Sequence, residues 1–411
     1  MAQTENTEST QRTEKLILGV AAPVFILGLV SLFTDISSEM IVSILPLFVF
    51  EVGGTMIVLG LITGITEATA NILKGVSGWW SDKIRKKKPF VVAGYSLSNL
   101  SKPLMGFSIS WEPILAIKFT DRVGKGLRTS ARDALISFYA EEGKGKAFGI
   151  HRAMDTAGAV IGSLVSSVLL IFALSYGMII LFSIFPGIVA IVLILTIKDI
   201  KENRIPVEID ETEKKKEQKF NRNFIKFVVI LGVMEFASLD VAFLIARGND
   251  LIPLDLIFLI PIFYLLFNIV YVIFSPVAGN LSDKIGRKKV IVFGMSLLIG
   301  VCIIASIDFQ VSTFSIVLIS ILFGIYGLYR GMVDPVARAY VGDLTGKDKR
   351  GRGYGYYYLS IGLISLPESI IFGLVYEILG FTWAFIYITI LLVISVIIFV
   401  RTDFSKILSK Q

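Results

Sequence analysis

The chain contains the stretch Gly78-Trp-Trp-Ser-Asp82-Lys83-Ile-Arg85-Lys86-Lys87 and, 201 positions later, the stretch Gly279-Asn-Leu-Ser-Asp283-Lys284-Ile-Gly286-Arg287-Lys288. The two stretches are copies of one motif. Each copy follows an apolar segment long enough to cross a bilayer, and the offset is close to half of the 411 residues. A hydrophobic unit that occurs twice, with a basic hairpin at the same place in each copy, indicates two similar halves of membrane-spanning helices.

The composition agrees with a membrane protein. Hydrophobic residues make up 54% of the chain, and the mean hydropathy is +0.75. A soluble domain of this length would expose too much apolar surface, so the sequence predicts an all-α polytopic membrane protein. The chain has one cysteine, Cys302, and one histidine, His151. We therefore expect no disulfide framework, no metal site and no cofactor.

Hydropathy predicts about twelve spans. The approximate ranges are 18–50, 56–80, 89–109, 112–135, 147–173, 178–197, 223–246, 253–278, 289–306, 312–336, 353–377 and 381–400. The polar, charged segment between the sixth and seventh spans is interpreted as a solvated linker. The predicted organisation is a six-helix half at 1–197, a cytoplasmic linker at 198–222 and a second six-helix half at 223–411.

Lysine and arginine are concentrated in the loops on one side of the predicted bundle, at 83–88, 144–146, 284–289 and 347–352 and in the linker. The positive-inside rule then places both termini and the linker in the cytoplasm of a multi-pass protein of the cell membrane. This asymmetry also accounts for the net charge of +7. Nucleic-acid binding is not expected, because the basic residues are divided among short hairpins instead of forming one face.

The repeat extends beyond the hairpins. With the offset of 201, Glu39 corresponds to Asp240, so each half places a carboxylate in its first span. Farther along, the offset becomes 206, and Arg132 corresponds to Arg338. Six helices followed by six more in the same order and orientation predict two parallel halves around a central cavity.

The chain resembles the major facilitator superfamily over nearly its whole length. The doubled stretch is similar to the loop 2–3 motif of that superfamily, Gly-x-x-x-Asp-Arg/Lys-x-Gly-Arg-Arg/Lys, which recurs at loop 8–9. The second copy fits it well, whereas the first has Arg85 in place of the second glycine. Arg122-Val-Gly-Lys-Gly126 is similar to the fourth-helix pattern Arg-x-x-Gln-Gly, with Lys125 at the glutamine position.

Two further similarities narrow the resemblance. Gly149-x8-Gly158-x3-Gly162 is similar to the fifth-helix pattern of antiporters, with Ser163 where that pattern has proline. The segments Asp35-Ile-Ser-Ser-Glu39-Met40 and 121–128 look like a prokaryotic subgroup labelled drug-efflux-like. The resemblance implies a transporter that works by alternating access, with a small-molecule substrate.

The hairpins have a physical interpretation as gates. Their glycines permit close helix contact, their aspartates suit the positive end of a helix dipole, and their bases can bridge to acids at the ends of spans four and ten. Such contacts would hold one state closed and break when the halves rock. The predicted gating residues are Gly78, Asp82, Lys83, Lys86, Gly279, Asp283, Lys284, Arg287, Asp133 and Asp343.

Charges inside the spans form the second set of candidates, because a charge at a helix centre costs about 2.5–3.5 kcal/mol on insertion scales and needs a cavity or a partner. Asp35 and Glu39 are spaced i,i+4 and share one face of the first span, while Asp121 and Arg122 lie in the middle of the fourth. A cavity that opens alternately to the two sides changes the environment, and so the protonation, of such a carboxylate. Asp35 and Glu39 are therefore predicted to carry an exchangeable proton or to contact a cationic substrate, with Arg122 modulating them; a permanent ion pair is the alternative.

The remaining candidates are weaker. Glu67, Lys102 and Lys118 occupy spans two to four, where the lysines would suit an anionic substrate or pair internally. Asp240 is ranked above the other acids of the second half because it is the repeat mate of Glu39. In span ten, Arg330-Gly331 and Asp334-Pro335 predict a break in the helix together with an i,i+4 ion pair.

The preferred hypothesis is a monomeric secondary active transporter in the lipid bilayer that exchanges protons for a small organic molecule in the export direction. An importer or facilitator of an organic anion is the alternative within transport. A non-transporting membrane sensor or scaffold is the alternative outside it. An enzyme is not expected, because the sequence offers no nucleophile–base pairing and no metal set.

Overall fold

A computed structural model describes residues 16–17, 20–83, 87–140, 143–198, 222–345 and 350–402. Of 75–83, 222–223, 313 and 350–352 it describes the helical backbone only. The first elements in the described ranges are two short antiparallel strands, β1 (Leu16–Ile17) and β2 (Val20–Ala21), in which Leu16 pairs with Ala21. The elements that follow in the described ranges are all helices, so the all-α prediction is confirmed.

Helices before and after residues 199–221 are called the first and the second half. In the first half they are α1 (Ala22–Val42), α2 (Leu45–Glu51), α3 (Met56–Lys83), α4 (Lys88–Ser101), α5 (Trp111–Tyr139), α6 (Lys144–Ile171), α7 (Tyr176–Phe182) and α8 (Ile184–Thr196). A 3₁₀ helix, Lys102–Phe107, extends α4. The predicted linker lies almost entirely outside the described residues.

The second half has the same sequence of long helices. They are α9 (Arg222–Phe236), α10 (Val241–Leu251), α11 (Leu259–Ile285), α12 (Arg287–Ala305), α13 (Thr313–Thr345), α14 (Arg350–Leu379) and α15 (Phe381–Arg401). A short 3₁₀ helix, Leu254–Leu256, precedes α11.

Ten helical segments in the described part of the chain are long and apolar enough to cross a membrane. The third and fourth predicted spans are not among them, because α4 has only 14 residues and α5 carries charges along its 29 residues. Both nevertheless pack inside the bundle, α4 against α5 and α8, and α5 also against α3. Large apolar side chains such as Phe185 and Val192 of α8 are exposed on the outside of the bundle, as expected for a surface that meets lipid.

Spans one and seven are each interrupted, but not at equivalent positions of the repeat. Helix α1 ends at Val42 and α2 begins at Leu45, while α9 ends at Phe236 and α10 begins at Val241. Asp240 is the N-cap of α10, and its Oδ1 accepts a hydrogen bond from the Ala242 amide at 2.7 Å. The carboxylate predicted to lie within the seventh span therefore stands at a break in it.

The predicted break in span ten is wrong. Helix α13 is continuous from Thr313 to Thr345, with Pro335 inside it. The predicted ion pair is present, since Arg330 and Asp334 lie 3.6 Å apart. Proline is tolerated within a membrane helix because neighbouring groups can satisfy the freed carbonyl.

Two glycines allow a close crossing of α1 and α6 within the first half. A Cβ added to Gly158 or Gly162 of α6 would overlap the carbonyl oxygen of Leu32 or Ile36 on α1. The Cβ added to Gly158 would lie 3.0 Å from the Cβ of Asp35, and the Cβ added to Gly162 would lie 3.1 Å from the Cβ of Glu39. The glycine pair therefore brings α6 against the face of α1 that carries its two carboxylates.

Between the halves, α3 packs along α14 and α6 packs against α11. Helices α3, α11 and α13 all end on the side of the bundle that carries Arg287 and Asp343, which we call the hairpin end. The Met56 amide donates to Glu377 at 2.9 Å, and the Ser167 hydroxyl donates to the Phe258 carbonyl at 2.7 Å. Both bonds join the halves at the end opposite to the hairpins.

Candidate functional site

A central cavity of about 350 Å³ lies between the halves and is lined by residues of both. From the first half, Glu39, Glu67, Lys118 and Arg122 reach its wall. From the second half, the charged groups at the wall are Glu235, Asp240, Arg330, Asp334 and Glu368. Five of the eight predicted coupling or substrate residues thus meet in one cavity: Glu39, Glu67, Lys118, Arg122 and Asp240.

One hydrogen bond across the cavity connects its two walls. The hydroxyl of Tyr264 on α11 donates to Oε2 of Glu39 on α1 at 2.6 Å. The two residues are 225 positions apart, so this bond depends on how the halves are docked. Glu39 is thereby partnered by the opposite half and not by an arginine of its own half.

Asp35 lies behind the cavity wall, where it is paired with Asp155 of α6. The two carboxyl groups lie close enough to interact with each other. Asp155 accepts from the Ser31 hydroxyl at 2.5 Å and forms an ion pair with Arg152 at 3.1 Å. Two ionised carboxylates this close would repel each other, so the arrangement favours one proton on the Asp35–Asp155 pair.

Asp121 and Lys102 form a second layer behind the wall. Asp121 accepts a hydrogen bond from the Ser98 hydroxyl and has the Arg122 Nε at 3.8 Å. The Lys102 side chain is 2% exposed and its ammonium donates to the Ser38 hydroxyl at 2.7 Å. Since Lys102 attracts both Asp121 and Asp35 electrostatically, it belongs to the charge network of α1 and α5 rather than to the cavity surface.

Glu67 and Lys118 both lie at the wall of the first half. Glu67 accepts from the Asn71 amide at 3.5 Å and is attracted by Arg122 and Lys74. Lys118 is 5% exposed and interacts with Asp121 and Glu39. The acids of this wall therefore have basic neighbours within the same half.

The second hairpin forms a compact ion-pair network within its own half. Arg287 contacts Asp283 at 2.6 Å and Asp343 of α13 at 3.0 Å, and it also donates to the Ser282 hydroxyl at 2.6 Å. The predicted bridge from Arg287 to Asp343 is present in the structure. The expectation that Asp283 lies at the positive end of a helix dipole stays a prediction; in the described state Arg287 pairs with it.

One other expectation for the hairpins differs from the structure. An added Cβ on Gly279 would meet nothing within 4 Å, so this glycine makes no close helix contact in the described state. Asp133 pairs with its neighbour Arg132 at 2.9 Å, and its bridge to the first hairpin stays a prediction because the side chains of that hairpin lie outside the described residues. Lys284 of the second hairpin is exposed.

The first hairpin is described only in part. Gly78, Asp82 and Lys83 belong to α3 by backbone, and their side chains lie outside the described residues, as does the whole of Lys86. That the first hairpin forms an ion-pair network like the one around Arg287 in the second hairpin stays a prediction.

Sequence reasoning did not select Asp155, Glu235 or Glu368 as site residues. Asp155 stands one helical turn before Gly158, where the tight crossing with α1 begins, and this spacing was the available signal. Glu368 follows Pro367 and is the only charged residue between Arg352 and Glu377. A lone charge in so long an apolar stretch marks a group that needs a cavity.

Comparison with known proteins gives a consistent result over the whole chain. A family model described as Major Facilitator Superfamily matches residues 27–266 and 227–408. An uncharacterized MFS-type transporter of Methanocaldococcus jannaschii is 36% identical over 381 residues, which covers 90% of this chain and 92% of that relative. The tetracycline resistance protein, class H, of Pasteurella multocida is 32% identical over 144 residues, or 34% of each chain.

Among solved structures, that of the nucleoside transporter NupG is similar, with a TM-score of 0.75 and 13% identity over 93% of this chain and 100% of that one. At this identity the likeness concerns the fold alone.

Proposed function

The chain belongs to the major facilitator superfamily, and from this premise we propose that it exchanges protons for a small organic molecule and exports that molecule from the cytoplasm. Membership makes it a secondary transporter and not an enzyme. The central cavity is the proposed binding site for the organic molecule, because charged groups from both halves converge on it. Proton exchange and direction are the parts of the proposal that go beyond the family.

The observation that carries the proposal is the closeness of the Asp35 and Asp155 carboxyl groups at the crossing of α1 and α6. Two carboxyl groups in contact hold one proton between them, since two ionised carboxylates would repel each other. The pair lies on α1 and α6, directly beside the Gly158 and Gly162 crossing. A small shift between these two helices would separate the carboxyl groups and release the proton.

The proton pair is close enough to the cavity to respond to it. Asp35 is one helical turn from Glu39, and each is acted on electrostatically by Lys125. Glu39 lines the cavity and holds Tyr264 of the other half. Movement of α11 away from α1 would therefore first change the surroundings of Glu39. Because Asp35 lies on the same helix, the movement would then reach the Asp35–Asp155 pair through α1.

The proposed cycle uses the two halves, 1–197 and 223–411, as bodies that rock about the cavity. The bonds of Met56 and Ser167 to the other half hold the end opposite to the hairpins in the described state. A gate at the hairpins is proposed to hold the alternate state; because Arg287 pairs with Asp283 and Asp343 of its own half in the described state, this gate requires the hairpin bases to contact the other half once the halves have rocked. We further propose a monomer in the cell membrane with both termini and the hairpins in the cytoplasm, on the basis of the lysine and arginine distribution.

The test is the collapse of a pH gradient in inside-out vesicles, monitored by a fluorescent dye, when organic cations, neutral amphiphiles and anions are added. Wild type is compared with Asp35→Asn and Asp155→Asn. Asp255→Asn is the matched control, because Asp255 is an exposed carboxylate in the short 3₁₀ helix before α11. We expect substrate-triggered proton movement in wild type and control and none in the two variants.

Other outcomes assign the function differently. If labelled solute crosses the membrane and no compound moves protons, exchange is excluded and a facilitator or importer takes its place. Lys118 and Arg122 at the cavity wall are the residues that would then bind an organic anion. Proton movement that survives both aspartate substitutions would remove the Asp35–Asp155 pair from the coupling mechanism.

A further inference from the structure

We propose that the second-half wall of the cavity contains a binding subsite for the positively charged group of an organic cation, centred on Glu368 with Glu235 and Asp240 beside it. This inference rests on the proposed transport function and names the class of molecule that the cavity takes. It is carried by three features of that wall: an unpaired carboxylate oxygen, an excess of acids over bases, and a row of aromatic rings.

Glu368 is a buried carboxylate at the cavity wall, and one of its oxygens has no hydrogen-bond donor among the described residues. Its side chain lines the cavity and the residue is 4% exposed. The Ser369 hydroxyl donates to Oε2 at 2.8 Å, whereas Oε1 has no hydrogen-bond partner among the described residues. A buried carboxylate oxygen without a donor is costly, so the site favours a donor or a cation that enters from the cavity.

The neighbours of Glu368 add negative charge. Glu235 and Asp240 both act on it electrostatically, and both line the same cavity. Asp240 has one oxygen engaged by the Ala242 amide. Three carboxyl groups thus lie together on the second-half wall, and a cation bound among them would favour their ionised forms.

The base of this wall is already committed. Arg330 lies 3.6 Å from Asp334, donates to the Tyr326 hydroxyl at 3.1 Å and to the Leu239 carbonyl at 3.4 Å. Its guanidinium also lies over the Tyr326 and Tyr329 rings. Arg330 forms its ion pair with Asp334. Among the described lining residues, the carboxylates of Glu235, Asp240 and Glu368 therefore have no ion-paired base.

The first-half wall differs in this respect. Its two carboxylates, Glu39 and Glu67, face two bases, Lys118 and Arg122. Glu39 is further satisfied by the Tyr264 hydroxyl. The charge imbalance of the cavity is thus confined to the second half, and an anion placed there would be repelled.

Aromatic rings complete the subsite. Tyr264, Phe267, Tyr271 and Tyr326 line the cavity, and the Phe267 ring centroid is 5.6 Å from that of Tyr264 and 5.3 Å from that of Tyr326. Carboxylates combined with aromatic faces recognise organic cations, because the ring quadrupole attracts positive charge and the ring surface covers apolar groups. A bare inorganic cation would gain nothing from the apolar ring surface, which favours an organic one.

The experiment measures equilibrium binding of radiolabelled tetraphenylphosphonium to the purified full-length protein in detergent. Tetraphenylborate, which has a similar shape and the opposite charge, is the competitor that tests sign. The variants are Glu368→Gln and Glu235→Gln, and the matched control is Glu377→Gln. Glu377 lies on the same helix but is exposed outside the cavity, and a glutamine there can still accept from the Met56 amide.

We expect saturable binding to wild type, a dissociation constant about tenfold higher or more for Glu368→Gln, and a change within about twofold for Glu377→Gln. Size-exclusion profiles and melting curves identify a variant that fails to fold, and Glu235→Gln then provides the readout. The inference is overturned if tetraphenylphosphonium does not bind saturably, if folded Glu368→Gln and Glu235→Gln both bind like wild type, or if tetraphenylborate competes equally well.

The two proposals fail in different ways. Binding that depends on Glu368 together with no proton movement in vesicles removes proton exchange and leaves the cation subsite in place. Proton movement driven by anions or neutral compounds, with no binding of tetraphenylphosphonium, removes the subsite and leaves proton exchange in place.

Discussion

The hydrogen bond between Glu39 and Tyr264 links the two halves through a single pair of side chains. Glu39 belongs to the first half and its hydrogen-bond donor to the second, at a contact distance of 2.6 Å. Both line the cavity, so a bound molecule lies against the bond itself. Any rocking motion that separates α1 from α11 must break it and leave Glu39 to find another partner.

Replacing Tyr264 by phenylalanine should slow transport without unfolding the protein. Hydrogen bonds between membrane helices contribute on average about 0.6 kcal/mol and at most about 1.7 kcal/mol, which corresponds to a change of roughly threefold to eighteenfold in a rate or an equilibrium. The measurement is uptake of labelled substrate into inside-out vesicles. Tyr271→Phe, which removes a hydroxyl from the same cavity wall without touching Glu39, is the control, and equal rates in the two variants would contradict the role of the bond.

Single residues also show how far sequence reasoning reaches. Asp35 and Glu39 were predictable as a pair because an i,i+4 spacing fixes two side chains on one helix face. Asp155 and Glu368 had only weaker signals in the sequence, because their importance also depends on which face of α6 or α14 turns inward. That rotation is set by packing against other helices, as at Gly158, and a single helix sequence does not contain it.

At the level of the helix, the α1–α6 crossing is the element that positions the proposed proton site. Two glycines one turn apart let the backbones touch where a larger residue would hold them apart. The contact fixes which residues of α1 and α6 face each other. Because glycine has no side chain that interlocks with the other helix, the contact still allows the two helices to slide along each other.

The substitution Gly162→Ala should destabilise the protein, while Gly149→Ala on the same helix should not. A methyl group at Gly162 would overlap the Ile36 carbonyl, and overpacking of this kind costs about 1–3 kcal/mol. At Gly149 an added Cβ meets nothing within 4 Å, and alanine is favoured over glycine in a helix by about 0.5–1 kcal/mol. Thermal unfolding in detergent should therefore move the two midpoints in opposite directions, and a shift of the same sign would refute the packing argument.

Helix interruptions were the least predictable elements. Gly331 and Pro335 indicated a break in span ten, yet α13 runs through both. Span seven is interrupted at 237–240, a stretch without glycine or proline. Local helix breakers predict poorly here because neighbouring helices satisfy the backbone in the first case, whereas in the second the Asp240 side chain supplies a cap for a new helix start.

For the molecule as a whole, the two-half architecture was readable from the repeat of the hairpin motif and of Glu39 at Asp240. The docking of the halves was not. It depends on close approaches such as Gly60 against Ser369 and Gly64 against Leu366, which place α3 along α14. Residues of the two halves have no fixed spacing in sequence, so no periodicity predicts which of them meet.

Linking the halves at the end opposite to the hairpins should stop transport reversibly. Met56 and Glu377 stand across that junction, with the Met56 amide bonded to the Glu377 carboxylate. Cysteines at both positions, joined by a short bis-methanethiosulfonate reagent, should abolish substrate flux into vesicles, and dithiothreitol should restore it. The two single-cysteine variants treated in the same way are the controls, and full activity of the linked protein would show that this end does not open.

Cys302 makes experiments of this kind simpler than usual. It is the only cysteine of the chain and is fully buried within α12. A thiol reagent added to the folded protein therefore meets no accessible native thiol, and it reacts only at cysteines introduced by the investigator. Pairs of spin labels can be introduced into the natural sequence, and the populations of the transporter's conformers followed as distance distributions.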